Sequence, residues 1–330
     1  MAEPVDLDLE GFQPQVVEKV MRLLTVLDAI NADPILATAM CLHGGTALNL
    51  FLLGAPRLSV DIDLNYIGST DVGTLRAIRP GLERRLVDLG ENLGFSITIG
   101  KPEHSGRSFR LGYQGSFGPD HVKIDLDYLN RSPLLRVGPK SVRLKTGAVV
   151  SFPLNSDIEL VSGKMKALVE RVAVRDLYDV NQIAKLIPGL MASGDVRLFR
   201  RVILYYLSLS APFPRLLRVA DRFRDRRQEV TDQLYPLLPS DDRPTLDDMI
   251  GTAESYLADV SGSADDDEAQ YIERAARADF APELLFANYP ETLAATQVDP
   301  AAQWKMLNLA KTIDRDVTWA PAQASQETWM

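Results

Sequence analysis

The chain has 330 residues, 46% hydrophobic and 25% charged, which is the composition of a globular protein long enough for two domains. Its one cysteine, Cys41, excludes an internal disulfide and a zinc site built from cysteines. The acidic N-terminus lacks the basic and apolar regions of a signal peptide, and no later segment stays apolar for the length of a membrane span. We therefore expect a cytoplasmic protein with no membrane partner.

The net charge of −9 is unevenly distributed along the chain. From residue 228 onward, 20 acidic and 6 basic residues give a balance of −14, which leaves +5 for residues 1–227. The acidity therefore belongs to the C-terminal part, and a nucleic-acid partner is not excluded for the rest. The densest acidic stretch, SGSADDDEAQ at 261–270, predicts a solvated loop or a disordered insertion.

Strand-like and helical patterns alternate up to about residue 150, and helical patterns dominate after it. In the first part we predict helices at 14–31, 45–53 and 73–92, and strands at 60–65, 95–99, 108–113, 122–129 and 142–150. In the second part we predict helices at 156–172, 175–187, 195–209, 214–236, 245–259 and 268–278. The sequence thus predicts an α/β (α+β) domain at 1–150, followed by an all-helical domain at 151–330.

The stretch HGGTALNLFLLGAPRLSVDIDLNYIG, residues 43–68, carries the strongest chemical signal. Residues two apart in a strand point to the same face, so Asp61 and Asp63 project together and repel unless a cation lies between them. A hard divalent ion such as Mg²⁺ resolves that repulsion. Upstream, Gly44, Gly45 and Thr46 begin a predicted helix, where backbone N–H groups favour an anion. A phosphate-binding loop beside a metal site indicates phosphoryl or nucleotidyl transfer.

A second strand, HVKIDLDYL at 121–129, offers further carboxylates on one face. If it lies beside the first strand, Asp125 joins Asp61 and Asp63. Three carboxylates could hold two metal ions, and the third could also accept the proton of an attacking hydroxyl. Alternatively this face is the polar side of an edge strand, a reading that suits Asp127 better than Asp125.

The segment KMKALVERVAVRDLYDV, residues 164–180, opens the helical part. Lys164 and Arg171 are seven residues apart and share a helix face, so both could lean toward the phosphates of one nucleotide. Asp176 is placed to cap the next helix, and Asp179 follows on the same side. Because a functional cation is expected to be exposed, removal of Lys164 should cost the fold little. The alternative is a salt-bridged helical hairpin.

The motifs HGGTAL, RLSVDIDL, KIDL and KMKALVERVAVRDLYDV, in this order, resemble the AbiEii/AbiGii-type nucleotidyltransferase toxins of the DNA polymerase β nucleotidyltransferase superfamily. The resemblance covers residues 40–190 and implies a mixed sheet in the first domain. It further implies that the helical domain completes the nucleotide site. By position, it assigns Asp61, Asp63 and Asp125 to the metal, and Gly44, Gly45, Thr46, Arg57, Ser59, Lys164, Arg171 and Asp176 to the nucleotide. It also adds Lys164 and Asp179 to the catalytic aspartates.

The same resemblance implies Mg²⁺ or Mn²⁺ as cofactor, an NTP as substrate and an RNA acceptor, with the tRNA 3′ end as the first choice. It also implies a toxin–antitoxin or phage-defence system with a cognate antitoxin. Two positions depart from the family pattern, since His43 stands where a lysine is common and Val60 where an acidic residue is common. The metal pair itself is retained.

Three alternatives remain open on the residues alone. One is a nucleotide- or partner-binding module without turnover, and another is a nucleotidyltransferase that modifies a protein. The third is a phosphatase with Asp61 as nucleophile, although Asn65 stands where such enzymes have threonine.

A basic segment, RLLRVADRFRDRR at 215–227, is where we expect an RNA acceptor to bind. Spacings of three and four residues place Arg215, Arg218 and Arg222 on one side of a predicted helix, where they could follow a phosphate backbone. Asp221 and Asp225 partly neutralise the segment, so a merely solvated helix face is the alternative.

Overall fold

The computed structural model describes residues 3–210, 213, 219–262 and 264–313, with side chains described except at 187–193, 259–262 and 310–313. Eight strands form one mixed sheet in the order β1-β7-β8-β2-β3-β6-β5-β4. The strands are β1 Val5–Leu7, β2 Met40–His43, β3 Asp61–Tyr66, β4 Ser96–Ile99, β5 Gly106–Gly115, β6 Gly118–Asp127, β7 Gly138–Leu144 and β8 Val149–Leu154.

Four helices lie before the last strand and ten follow it within the described residues. The first four are α1 Pro14–Ala32, α2 Leu36–Ala39, α3 Gly44–Thr46, which continues as a π-helix at Ala47–Leu52, and α4 Val72–Asn92. The others are α5 Asp157–Glu170, α6 Val174–Ser193, α7 Val196–Ser208, α8 Val219–Phe223, α9 Arg227–Glu229, α10 Leu246–Gly262, α11 Asp266–Ala275, α12 Glu283–Phe286, α13 Pro290–Gln297 and α14 Pro300–Ile313. The predicted sequence of a mixed α/β part and a helical part is confirmed.

Each part has its own hydrophobic core, with Leu160 of α5 packed into the core of the sheet and Leu48 packed into a core of the helical part. Helices α1 and α4 cover one face of the sheet, where Ile62, Ile124 and Leu126 pack with apolar side chains of both helices. The later helices enclose two further clusters, one around Met165 and one around Tyr205. A domain boundary near residue 150 is consistent with these cores and stays our proposal. No helix in the described part of the chain is both long and apolar enough to cross a membrane.

The order of the strands brings the sequence motifs together. Strand β3 lies between β2, to which it is antiparallel, and β6, to which it is parallel. The glycine loop that follows β2 and the aspartates of β3 therefore lie at the centre of the sheet.

Several predicted elements were wrong or incomplete. Strands β1 and β2 were not predicted, and the strand expected at 142–150 is the hairpin of β7 and β8, which turns at Gly147, a residue with φ of 85°. The helix expected at 214–236 falls partly outside the described residues, and its described part is broken into short helices.

The acidic run is folded where it is described. The side chain of Asp265 and the N3 residue Glu268 form a capping box at the start of α11. The side chain of Arg201, 1% exposed, lies 3.0 Å from Asp265 and 3.6 Å from Glu268. A buried cation needs partner charges, and these carboxylates provide them for Arg201. The expectation of a solvated loop was therefore wrong for 265–268.

Candidate active site

Two of the three aspartates, Asp63 and Asp125, lie in one row of paired residues that crosses four strands. Asp63 of β3 is paired in register with His43 of β2 on one side and with Asp125 of β6 on the other. Ser108 of β5 continues the row beyond Asp125. Asp61 lies two residues before Asp63 and therefore projects from the same face. Since neighbouring strands are about 4.8 Å apart, the sheet holds these carboxylates side by side.

Asp125 is held by its neighbours in this structure. Its carboxylate accepts a hydrogen bond of 2.5 Å from Ser108 Oγ and one of 2.5 Å from Lys123 Nζ. In the described part of the chain, no group of three or more His, Cys, Asp or Glu side chains is arranged to hold a metal ion. The expected three-carboxylate centre therefore stays a prediction.

The pKa of Asp61 is raised from its ordinary value. Burial is the main cause, and the neighbouring charge of Asp63 adds to it. The positive charges of Arg175, Lys123 and Lys19 act in the opposite direction without cancelling the rise. An ionised Asp61 is thus short of positive charge, which is the electrostatic condition that a bound cation would relieve.

The glycine loop is packed directly onto the aspartate row. Gly44 has φ of 71°, and a Cβ atom at this position would lie 2.2 Å from Asp63 Oδ2. A Cβ atom at Gly45 would lie 2.8 Å from Ser59 Oγ and 3.2 Å from a guanidinium nitrogen of Arg57. The hydroxyl of the buried Thr46 donates to the backbone carbonyl of Asp61. The loop therefore requires glycine at both positions.

We expect Gly44→Ala to lower activity by about a hundredfold or more, because a misplacement of about 1 Å at a reacting centre can cost that much. The new methyl group must displace the Asp63 carboxylate, and the left-handed backbone adds strain. Steady-state transfer assays measure the loss. Gly81→Ala is the control, since nothing lies within 4 Å of its added Cβ in α4, and the gain in unfolding free energy should be about 0.5–1 kcal/mol. Wild-type activity in Gly44→Ala would contradict the assignment.

Five charged residues form a connected, largely buried ion-pair network between the sheet and the helices. Lys164 Nζ lies 2.9 Å from Asp176 Oδ1 and 2.7 Å from Asp179 Oδ2. Arg171 Nε lies 2.6 Å from Asp176 Oδ2. Arg57 binds Asp179 through two hydrogen bonds, of 2.6 and 2.7 Å. Because Arg57 precedes β3 and Asp179 belongs to α6, the network joins the two parts of the molecule.

This network changes the interpretation of several predicted site residues. Lys164 is 5% exposed, so the expectation of an exposed cation was wrong. Arg57, Ser59, Asp176 and Asp179 are buried as well. Their position indicates that they support the glycine loop and the α5–α6 turn. Direct contact with a nucleotide stays a prediction for them and is disfavoured by their burial.

The network holds Asp179 ionised. Burial alone would raise the pKa of its carboxyl, but the charges and hydrogen bonds of Arg57 and Lys164 outweigh that effect, and the pKa is lowered. The pKa of Asp176 is lowered in the same way, against burial, by Lys164 and Arg171. The Nδ2 group of Asn49 also donates to Asp179, at 3.0 Å.

Arg175 is a residue that the sequence analysis did not single out. It is half-buried at the start of α6, and its charge lowers the pKa of Asp61. Within the described part of the chain, no hydrogen bond or ion pair of its guanidinium is observed. The two aspartates of α6 pair with Arg57, Lys164 and Arg171. Because Arg57 lies outside the motif, the sequence carries no signal that would have singled out Arg175.

An open cleft of about 360 Å³ adjoins the aspartate row. Its lining includes His43, Asp63, Ser108, Asp125 and Lys101. Asp127 also borders it, but this carboxylate accepts hydrogen bonds from the backbone of residues 129 and 130 and closes a turn. The cleft places free space next to the carboxylates, at a size suited to one small ligand.

A central mixed sheet, paired aspartates beside a tight glycine loop and a helical part joined to it define a nucleotidyltransferase. The sequence matches the family described as "Nucleotidyl transferase AbiEii toxin, Type IV TA system" over residues 25–284. The chain belongs to this family of nucleotidyltransferase toxins. The resemblance inferred from the motifs is thereby confirmed, and the alternatives of a phosphatase and of a module without turnover are set aside.

One solved structure supports the fold. MenT4, a nucleotidyltransferase toxin from Mycobacterium tuberculosis, superposes with a TM-score of 0.56 at 16% sequence identity, covering 87% of this chain and 94% of that chain. JHP933 from Helicobacter pylori gives a TM-score of 0.39 at 16% identity, covering 92% of this chain and 97% of that chain. A search among curated proteins finds no match.

Proposed function

We propose that this toxin is a divalent-metal-dependent enzyme that transfers a nucleoside monophosphate from an NTP to an RNA acceptor, with the tRNA 3′ end as the leading acceptor. The proposal rests on one observation: Asp63 and Asp125 are paired in register, Asp61 projects from the same face, and Gly44 packs directly against Asp63. The family supplies the reaction class. A cognate antitoxin is the expected protein partner.

Asp61 and Asp63 fit a divalent cation such as Mg²⁺ or Mn²⁺. Their carboxylates are hard oxygen donors on one face, and the pKa of Asp61 is raised, mainly by burial and further by the adjacent charge of Asp63. A cation bound there would neutralise the pair and polarise the NTP phosphates. Asp125 would become a third ligand of the cation if its carboxylate were released from Lys123 and Ser108.

The remaining groups suggest how the substrates are oriented. The backbone N–H groups at the start of α3 would bind phosphate oxygens, and Gly44 lets the substrate approach the loop closely. Arg175 and the exposed Arg171 face the aspartates from the α5–α6 turn and would hold the triphosphate. The acceptor hydroxyl would attack the α-phosphorus, pyrophosphate would leave, and Asp125, once released from Lys123 and Ser108, would accept the hydroxyl proton.

The experiment that tests the proposal is incubation of the protein with each α-labelled NTP, Mg²⁺ and either bulk bacterial tRNA or total protein. Label in the tRNA band, and its absence after chelation of the metal, is the expected result. Label in protein would show that the acceptor is a protein, which is the alternative acceptor that the sequence left open. Label in neither fraction would contradict the proposed acceptor.

Replacement of Arg175 by alanine should raise the KM for NTP by about tenfold or more, since a charge-assisted hydrogen bond to phosphate contributes about 1.5–3 kcal/mol. The melting temperature should stay unchanged because the side chain has no observed ion pair in the described chain. Steady-state kinetics at varied NTP concentration measure the effect. Arg84→Ala, an exposed arginine of α4 on the far side of the sheet, is the matched control. An unchanged KM in Arg175→Ala would exclude this role.

A further inference from the structure

The face of the sheet that carries the aspartates continues over β6, β5 and β4 as a polar surface. We call the following residues the shelf: Ser96, Thr98, Ser108, Arg110, Gly112, His121 and Lys123. All of them are exposed or half-exposed, so no element in the described part of the chain covers this face. The alternate residues, such as Leu111 and Val122, point to the opposite face and are buried with α1 and α4.

The shelf is hydrophilic and carries positive charge. Arg110 is exposed, and within the described residues its guanidinium has no observed hydrogen bond or ion pair. Lys101, at the rim of the adjoining cleft, is exposed in the same way. The shelf positions of β4 and β5 include no acidic side chain. On β6, Lys123 is paired with Asp125, and His121 lies 3.7 Å from Asp120.

The shelf is also connected in register to the reaction centre. Arg110 is paired with Lys123 of β6, which is paired with Asp61 of β3. Two strand spacings of about 4.8 Å separate Arg110 from Asp61, or roughly 10 Å. Ser108 stands next to Asp125 in the neighbouring row. A chain whose end reaches Asp125 would therefore pass over Arg110.

The basic segment at 215–227 offers less support for an acceptor. Arg215 and Arg218 lie outside the described residues. Arg222 donates to the backbone carbonyls of Leu168 and Val169 at the end of α5, which leaves it little freedom to bind a phosphate. The other described arginines of the segment are each paired with an acid: Arg224 with Asp221, Arg226 with Glu229 and Arg227 with Asp247.

We propose that the shelf binds the backbone phosphates of an RNA acceptor next to its reacting end, with Arg110 as the main contact. The inference rests on the proposed function and specifies where its acceptor lies. Uncompensated cations among hydroxyl groups complement a phosphate backbone. A protein acceptor would instead need an apolar centre with aromatic anchors, and the shelf positions include no aliphatic or aromatic side chain apart from the imidazole of His121.

The test compares Arg110→Glu with Arg84→Glu, which makes the same charge change on the opposite face. Bulk bacterial tRNA is titrated against each variant between 50 and 200 mM salt, values on the order of those at which phosphate contacts are resolved. For Arg110→Glu we expect affinity about tenfold weaker and a log–log salt slope lower by about 0.7–0.9 for each lost contact. The KM for NTP should be unchanged in both variants, and Arg84→Glu should bind tRNA like the wild type.

Two failures can be told apart. If the wild type labels tRNA and Arg110→Glu keeps its affinity and salt slope, the shelf is not the acceptor surface, while the proposed function stands. If the wild type labels no RNA, the proposed acceptor is wrong, and the proposal that the shelf binds it is wrong as well. Arg110→Gln, which removes the charge without reversing it, should give a smaller loss of tRNA affinity. Equal losses of affinity in Arg110→Glu and Arg84→Glu would mean that tRNA responds only to the net charge of the protein, which would contradict the proposal.

Discussion

Asp61→Asn is expected to abolish nucleotide transfer, by at least about a thousandfold, while the protein stays folded. The amide keeps the shape of the side chain but loses the charge that a divalent cation needs, and such a cation contributes several kcal/mol to the transition state. Growth arrest on expression of the toxin should vanish in the same variant. Transfer of α-labelled nucleotide and growth after induction are the two measurements.

Thermal stability distinguishes a catalytic from a structural role of Asp61. Its pKa is raised by burial and by Asp63, so its ionised form is unfavourable in the folded state, and Asn should melt at the wild-type temperature or slightly above it. Asp28→Asn, an exposed position on α1, controls for loss of an aspartate elsewhere. Full transfer in Asp61→Asn would refute the metal-site assignment, and arrest without transfer would mean that toxicity has another cause.

Asp179→Asn is expected to give the largest loss of stability, about 3–5 kcal/mol in the free energy of unfolding. This carboxylate is fully buried between Arg57 and Lys164, and removal of its charge leaves two buried cations without full compensation. Urea unfolding, followed by circular dichroism, measures the change. Asp247→Asn is the matched control, because its ion pair with Arg227 is 74% exposed on both sides and such pairs contribute little.

The pH dependence of Asp179→Asn follows from the lowered pKa of Asp179. A carboxyl whose pKa is lower in the folded state stabilises the fold fully above its unfolded pKa, about 3.9, and loses that contribution as the pH falls through the folded pKa. The difference between wild type and Asp179→Asn should therefore be complete at neutral pH and become smaller in acid. Equal urea midpoints for the two proteins at pH 7 would contradict the structural role.

Local patterns were sufficient for much of the fold. The alternation of Val122 to Tyr128 fixes which side chains of β6 are buried, because a strand has a period of two, and this holds wherever the strand is placed. The spacing of Asp61 and Asp63 fixes their common face for the same reason. The ordered motifs identified the family, since several short motifs in one order are far more specific than any one of them. Strand β2 was missed because its four residues, MCLH, are too short to show a period.

Only the tertiary structure decided what the charged residues do. A salt-bridged hairpin of residues 164–180 was one of the two interpretations of the sequence, but Arg57 is far from it along the chain, and nothing local indicates that Arg57 joins Asp179 in a buried network. Sequence spacing places a cation on a helix face, but burial of that face depends on the sheet against which α5 and α6 pack. The same applies to Arg175, which is left facing Asp61 because its neighbours in the motif take both aspartates of α6. The sequence by itself thus determined the chemistry available to this protein, and the long-range packing determined which residues are free to perform it.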